Sequence, residues 1–356
     1  KLLSQTPDPR KLVGGLLLRD LKTVIGTCRW CRYHSASFGG GMYRLLTLLQ
    51  DGRFHSGREL GEALGISRSA VWKHLQRIQA DAALNLYKVP GRGYRLAEPL
   101  SLLNHEALAP QLEQIGWSLH LYDSIDSTNA QALRLLQIVP PPFLVLAEAQ
   151  SAGRGRRGRS WVSPFGQNLY CSLAIKVQGG ASQLSGMSLV VGLAVMQVLH
   201  QVGISQAGVK WPNDVYVDGR KIAGILLELT GDPADVCHVI IGIGINVNMI
   251  EAAGIDQLWT SVKEHAGMVD RNELLLTLAA TLRQNLERHA QVGFAAMKGE
   301  WESNHVWQGL KCTLSTGSQD CSGTVLGVDD QGGLRMMIDG GVRSFSGGEL
   351  SLRLDQ

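Results

Sequence analysis

The sequence predicts an α+β protein in three parts: an N-terminal winged helix-turn-helix, a central mixed-sheet domain and a small C-terminal β-barrel. Three observations predict it. Capped helices and a basic hairpin crowd residues 42–100. Apolar strands and helices follow over 101–306 without a regular βαβ repeat, and short strands with Gly-rich turns fill 307–356. The 356 residues are 44% hydrophobic and 18% charged, enough apolar material for two or three cores.

Residues 1–41 stand apart. The segment mixes short apolar runs with basic residues and ends in Phe38-Gly-Gly-Gly41 before Met42, which suggests a native start at Met42 behind an upstream or artificial extension. Cys28, Cys31 and His34 could form half a zinc site, but no second ligand pair lies at a usable spacing. The six cysteines are scattered and describe no disulfide framework. No apolar run is long enough to span a bilayer, and the plain reading is a soluble, cytoplasmic protein.

From Tyr43 the pattern turns helical, with Leu45, Leu46, Leu48 and Leu49 on one face. Ser56-Gly-Arg-Glu59 is a capping box opening a helix that ends at Gly65. Ser67 caps a second helix, Arg68 to Gln79, with Val71, Leu75 and Ile78 at helical spacing. Two helices joined by a tight Gly-containing turn make a helix-turn-helix. Strands Leu84–Val89 and Tyr94–Leu96 around Pro90-Gly-Arg-Gly93 add a basic wing. Between residues 43 and 97 nine Lys/Arg face four acids, a net +5, which leaves −2 for the rest of the +3 chain. Small three-helix units also serve protein partners; here cap, turn, hairpin and charge agree on DNA. The second helix would enter the major groove, exposing Arg68, Ser69, Trp72, Lys73 and Arg77, while Lys88, Arg92 and Arg95 would meet phosphates; Gly57 and Gln76 are also expected among the DNA-binding residues.

After a link from Glu98 to Ser118, strands are expected near Leu119–Tyr122, Phe143–Ala147, Asn168–Ile175, Val209–Lys210, Asp214–Val217, Ile222–Leu229 and Val239–Val247. Helices are expected over Asn129–Leu136, Leu184–Val202, Asn272–Ala290 and Gly293–Ser303, with an Asp218-Gly219 hairpin turn.

The chemistry concentrates in a few runs. Gly153-Arg-Gly-Arg-Arg-Gly-Arg159 puts four arginines and three glycines in seven residues, so the backbone can wrap a ligand while guanidinium forks meet carboxylate or phosphate oxygens. Lys210 in Lys210-Trp-Pro-Asn-Asp214 sets an ammonium at a sheet rim, and Gly242-Ile-Gly-Ile-Asn246 permits close backbone approach. The last run lacks the dinucleotide fingerprint, and no P-loop occurs. Ser127-Thr-Asn129 opens a helix whose hydroxyls can cap or bind. Trp161 and Trp211 are read as packing residues, and Asp214 as structural.

Together with Lys221-Ile-Ala-Gly224, Gln150 and Gly347-Gly-Glu-Leu-Ser351, these runs occur in the order found in the bifunctional biotin protein ligases, which the chain resembles over roughly 43–356. The resemblance implies a ligase domain at 101–306 and an SH3-like barrel at 307–356. It implies ATP, Mg²⁺ and biotin as reactants, with biotinyl-5′-AMP formed and biotin passed to a lysine of the biotin carboxyl carrier protein of acetyl-CoA carboxylase. By position, Ser127, Thr128, Asn129 and Gln150 would hold the ureido ring. Arg154, Gly155, Arg156 and Lys210 would meet biotin and phosphate. Gly153, Arg157, Asn246 and Trp259 would serve the nucleotide. No residue is assigned to a metal. Regulation would follow from homodimerisation with biotinyl-AMP, placing two winged helices on operator DNA. A lipoyl ligase or a pure ligand-sensing transcription factor are the rival readings. The first 41 residues have no family counterpart, and the stretch from Asn248 to Trp259 is short for the family.

Overall fold

A computed structural model describes residues 40–178, 183–232, 236–315, 320–347 and 350–355. The Cys28–Cys31–His34 group and the proposed extension up to residue 39 lie outside these residues, as do Gly348 and Glu349 of the final glycine run.

The N-terminal unit comprises α1 (Gly40–Leu49), α2 (Gly57–Leu64), α3 (Arg68–Ala82), β1 (Leu86–Val89) and β2 (Gly93–Leu96). Both expected caps form. Ser56 accepts from Glu59 N while the Glu59 carboxylate takes Ser56 N, and Ser67 accepts from Ala70 N. Gly65 ends α2 at φ +67°, the left-handed region where a side chain would cost energy. Leu45, Leu46, Leu49, Leu60, Val71, Leu75 and Ile78 fill the core.

The central domain adds α4 (His105–Gln114), β3 (Ser118–Ile125), α5 (Thr128–Leu135), β4 (Phe143–Gln150), β5 (Leu169–Gln178), α6 (Met187–Gln201), β6 (Gly208–Lys210), β7 (Asp214–Val217), β8 (Arg220–Gly231) and β9 (Val236–Ile245). Then come α7 (Val262–Ala266), α8 (Arg271–Val292) and α9 (Lys298–Ser303). The strands form one sheet in the order β3-β4-β5-β9-β8-β7-β6, with β3 and β4 parallel and all other pairs antiparallel. One face is covered by α6, which is apolar on nearly every side because it lies between the sheet and α8. The other face carries α5 and the motifs.

Three expectations need correction. The link contains a helix, α4, with Pro110 inside it and Asn104 as its cap. The helix expected from Leu184 begins at Met187. The run Gly293–Ser303 is a 3-10 turn at Phe294–Ala296 followed by α9, because Gly293 at φ +71° breaks it from α8.

At the C-terminus β10 (Lys311–Ser315), β11 (Asp320–Val328), β12 (Leu334–Ile338), β13 (Gly341–Phe345) and β14 (Ser351–Leu354) make a five-stranded antiparallel sheet ordered β13-β12-β11-β10-β14. Cys312, Leu314, Val325, Met336 and Leu352 join the central core, so this unit is packed onto the sheet domain rather than tethered to it.

Two features bind the winged helix to the centre. Leu100, Leu102 and Phe165, the last from the segment after the arginine run, complete the winged-helix core. Beside them Arg271, fully buried, is paired with the carboxylate of Glu148, also buried. Arg271 donates further to the carbonyls of Ser101 (2.7 Å) and Asn168 (2.8 Å), and Glu148 accepts from Leu103 N (2.6 Å). Each of the three guanidinium nitrogens of this buried cation thus donates to an oxygen.

Candidate active site and nucleic-acid interface

A cavity of about 470 Å³ opens on the face of the sheet that carries α5. Ser127, Thr128, Asn129, Gln150, Arg154, Gly155, Arg156, Arg157, Lys210, Asn246 and Trp259 all line it. Gly153 instead packs beneath the arginine run, where a Cβ would lie 2.5 Å from Trp161 O and 2.8 Å from Ser163 Oγ.

The closed end is built at the start of α5. Asp126 holds Arg134 through two contacts (2.6 and 2.9 Å), and that hydrogen-bonded guanidinium keeps its carboxyl below the usual range. Ser127, the helix cap, accepts from Ala130 N, leaving its own O–H to donate. Thr128 gives its N–H (2.8 Å) and O–H (3.1 Å) to Gln150 Oε1, so Thr128 Oγ1 can only accept. Gln150 Nε2 spends one hydrogen on Ser163 Oγ (2.9 Å) and keeps one. Asn129 donates both amide hydrogens, to Leu226 O (3.3 Å) and Glu228 Oε2 (2.7 Å), and receives Ser172 O–H at Oδ1 (2.6 Å). One acceptor position remains on Asn129. The end wall thus offers two donors, Ser127 and Gln150, and two acceptors, Thr128 and Asn129; Ser127, Thr128 and Asn129 are buried and Gln150 is half-buried. A cyclic urea has the matching set: a carbonyl with two lone pairs and two N–H groups.

The floor is glycine. Gly224 of β8 faces Gly244 of β9 across the ladder. Trp161 lies on both, within reach of a Cβ at Gly244 (2.5 Å to Cε2) and at Gly224 (3.0 Å to Cζ3). Trp161 therefore lines the cavity, contrary to its reading as a packing residue, and its indole N–H has no hydrogen-bond partner. Trp211 is packing, as expected: it is buried and donates Nε1–H to Gly332 O (3.1 Å).

Cations gather at the other end. Lys221 Nζ lies 2.7 Å from Asp214 Oδ1 and 5.4 Å from the Trp161 ring centroid. Lys210 Nζ lies 3.7 Å from Asp214 Oδ2 and sits over the rings of Trp307 (4.6 Å) and Tyr216 (5.1 Å). Asp214 is thus a shared counter-ion for two lysines and does not serve local backbone donors. Burial would raise its carboxyl, but Lys221, Lys210 and Arg156 outweigh that and hold it low. Burial pushes the Lys210 ammonium down, with Lys221 and Arg159 adding to the effect and Asp214 opposing it. His305, pushed by burial to about 4, accepts from Trp211 N (3.3 Å) as a neutral ring behind this cluster.

The arginine run forms a compact hairpin. Gly155 N bonds Arg159 O (2.7 Å), Trp161 N bonds Gly153 O (2.8 Å), and Arg157 turns the chain at φ +59°. Arg154 reaches Glu228 (3.0 Å) and Arg156 reaches Asn213 Oδ1 (3.0 Å). On the opposite wall Asn246 is buried and bonded to Thr260 O (3.0 Å), next to Trp259 in the chain. Trp259 runs beside Lys221 in a parallel bridge. Six cationic side chains, Arg154, Arg156, Arg157, Arg159, Lys210 and Lys221, thus line a concave space open to an anionic ligand.

On the winged helix, α3 exposes Arg68, Ser69, Trp72, Lys73 and Gln76. Gly57 is buried against Arg68 Cγ and Tyr94 (3.3 Å each from a Cβ there), so it supports the helix pair rather than facing outward. The wing cations rest on aromatic faces: Lys88 on Trp72 (4.5 Å), Arg92 on Phe54 (4.4 Å), and Arg95 between Phe54 (5.1 Å) and Tyr87 (4.9 Å). Arg95 is half-buried there, less available to a phosphate than the exposed Lys88 and Arg92.

Sequence reasoning missed Lys221, Trp161 as a lining residue, Ser172 and Glu228. Lys221 and Gly224 belong to a run already singled out; three residues apart, they share the cavity side because a bulge in β8 opposite Val215 and Tyr216 resets the strand's alternation between them. Nothing local in the sequence points to Ser172 or Glu228, which meet Asn129 only through strand pairing.

Comparisons agree with this geometry. Residues 121–246 match the biotin/lipoate A/B protein ligase family model, and residues 42–95 match a helix-turn-helix domain model. The chain is similar to the bifunctional ligase/repressor BirA of Escherichia coli, at 41% identity over 87% of this chain and 96% of the relative. It is also similar to the bifunctional ligase/repressor BirA of Bacillus subtilis, at 31% over 84% and 94%. Among solved structures, the biotin protein ligase of Aquifex aeolicus, in complex with biotin and ATP, is 32% identical with a TM-score of 0.59, covering 67% of this chain and 99% of that one. With the two domain types, the relatives' full length and the site all in agreement, the chain belongs to the family of bifunctional biotin ligase/repressors.

Proposed function

We propose that the chain activates biotin with ATP, transfers it to a carrier-protein lysine, and represses biotin-synthesis genes when biotinyl-AMP is bound. The observation that carries the ligase reading is the cavity's two ends. One presents two donors and two acceptors that fit a ureido ring. The other gathers Lys221, Lys210 and Arg156 around Asp214. A lipoyl dithiolane would leave the buried polar set at the closed end without partners, at roughly 1–3 kcal/mol per orphaned group.

In the first step a biotin carboxylate oxygen attacks the α-phosphorus of ATP and pyrophosphate leaves. Lys221 and Lys210 oppose the like charges of the two reactants and the charge growing on the phosphoryl oxygens, while Arg154, Arg156 and Arg157 close over them. Trp161 covers the ligand's apolar stem, and Asn246 and Trp259 border the nucleotide. In the second step the acceptor lysine amine attacks the acyl carbon and AMP departs. The amine's proton passes to a base, for which ionised Asp214 lies nearest the lysine cluster. Among the described residues no group of three or more His, Cys, Asp or Glu could hold a metal. Mg²⁺ accompanying ATP would supply charge neutralisation of the phosphate oxygens.

The partners are the biotin carboxyl carrier protein of acetyl-CoA carboxylase, operator DNA and a second copy of this chain. Beyond Ile225, β8 has no paired strand on its β7 side among the described residues, and Leu229 there is 53% exposed. That edge adjoins the arginine hairpin, which supports dimerisation linked to its ordering. Among the described residues no helix is long and apolar enough to cross a membrane, and the proposed substrates are those of the cytoplasm.

The test mixes protein, Mg-ATP and biotin with a carrier domain and reads the carrier by mass spectrometry. A biotin-sized gain on one lysine, absent with lipoate, is expected; a gain with lipoate alone would favour the lipoyl ligase.

A further inference from the structure

Strand alternation places Gly224, Leu226 and Glu228 of β8 on the cavity side of the sheet. The first two line the cavity. Glu228 stands at the end of that row, beyond the closed end, where it borders a second hollow behind the arginine hairpin. One carboxylate oxygen, Oε2, takes the Asn129 amide at 2.7 Å and the Arg154 guanidinium at 3.0 Å. Asn129 comes from α5, Arg154 from the hairpin and Glu228 from the sheet, so three separate elements meet at one atom.

The amide of Asn129 has two possible orientations, and only one leaves Oδ1 free to accept. Ser172 donates to Oδ1 while Glu228 and Leu226 O draw the NH₂ the other way. Without the carboxylate, one amide hydrogen loses a charge-assisted bond and the hairpin loses its anchor to the sheet.

We propose that Glu228 is a positioning residue, coupling head-group recognition through Asn129 to the seating of the arginine hairpin through Arg154. The inference rests on the biotin reading of the cavity. It adds that hairpin and head-group wall are not independent: setting one sets the other.

The test uses the full chain with Glu228→Gln, Glu228→Ala, Arg154→Met and the Arg154→Met/Glu228→Gln double variant. Steady-state adenylate formation is measured with biotin and ATP each varied, and trypsin cleavage within residues 154–159 is timed. Glu228→Gln is nearly isosteric, so it carries the test if the alanine variant folds poorly. For the Glu228 variants the expected result is a five- to tenfold rise in biotin KM with ATP KM within twofold, and faster cleavage of the hairpin. The double variant should lose less than the product of the two single losses, because both remove the Arg154–Glu228 contact. Unchanged biotin KM and cleavage in both Glu228 variants would overturn the proposal. So would losses in Arg154→Met and Glu228→Gln that multiply in the double variant. If the wild-type chain forms no adenylate with biotin, the biotin reading fails; the cleavage comparison then decides the coupling by itself.

Discussion

Alanine at Gly244 offers a graded test of the cavity floor. The new methyl carbon would stand 2.5 Å from Trp161 Cε2, 2.7 Å from Nε1 and 2.8 Å from Cζ2. Contact between such carbons is comfortable at about 3.5–4.0 Å, so the indole must retreat by roughly 1 Å. The β9 backbone blocks retreat on one side and the cavity is open on the other. The ring therefore moves into the space meant for ligand. A shift of about that size in a positioned group costs on the order of 10²-fold, and overpacking itself costs about 1–3 kcal/mol. Gly224→Ala meets the same ring at 3.0 Å, which needs only a few tenths of an ångström of adjustment. Titration calorimetry with biotin alone should show about a hundredfold weaker binding for Gly244→Ala and a much smaller loss for Gly224→Ala. Equal affinities in the two variants, or wild-type affinity for Gly244→Ala, would refute the assignment of Trp161 to the cavity wall.

Other outcomes are expected. Lys221→Met should slow adenylate formation by about 10²–10³-fold, read by pyrophosphate release. Glu148→Ala leaves the fully buried Arg271 uncompensated and should cost about 3–5 kcal/mol in urea unfolding, whereas replacing both partners by leucine and methionine should recover much of it. Asp123 is pushed up to about 6, first by burial and then by the nearby Glu148 charge. The folded state then holds this proton to higher pH than the unfolded chain does, so the residue costs stability as pH rises through 4 to 6. Asp123→Asn should raise the melting temperature at pH 7.5, by an amount that shrinks as pH falls to 5.

Much of this architecture could be read from local pattern. Ser56 with Glu59, Ser67 and Gly65 are caps whose chemistry acts within four residues, and they mark α2 and α3 closely. The Ser127–Asn129, Gln150 and arginine runs converge on one cavity because each lies at the end of an element, where the chain must turn. What escaped notice depends on partners distant in sequence. Gly57 looks exposed in a polar string until Tyr94 of the wing covers it. Asp214 looks like a local brace until β8 brings Lys221 to it. The helix α4 was hidden by Pro110, although Asn104 caps it, and nothing short of the folded sheet predicts that Glu228 and Ser172 share Asn129.

Phe165 carries a further consequence. It follows Ser163 and Pro164, whose groups are held by Gln150 and by the Tyr170 hydroxyl at the cavity, yet its ring belongs to the hydrophobic interior of the winged helix. Excising residues 42–100 would strip the cover from that ring, which sits in the same strip of chain as Trp161 and Ser163, so the cut is expected to loosen the cavity wall as well as remove the helix-turn-helix.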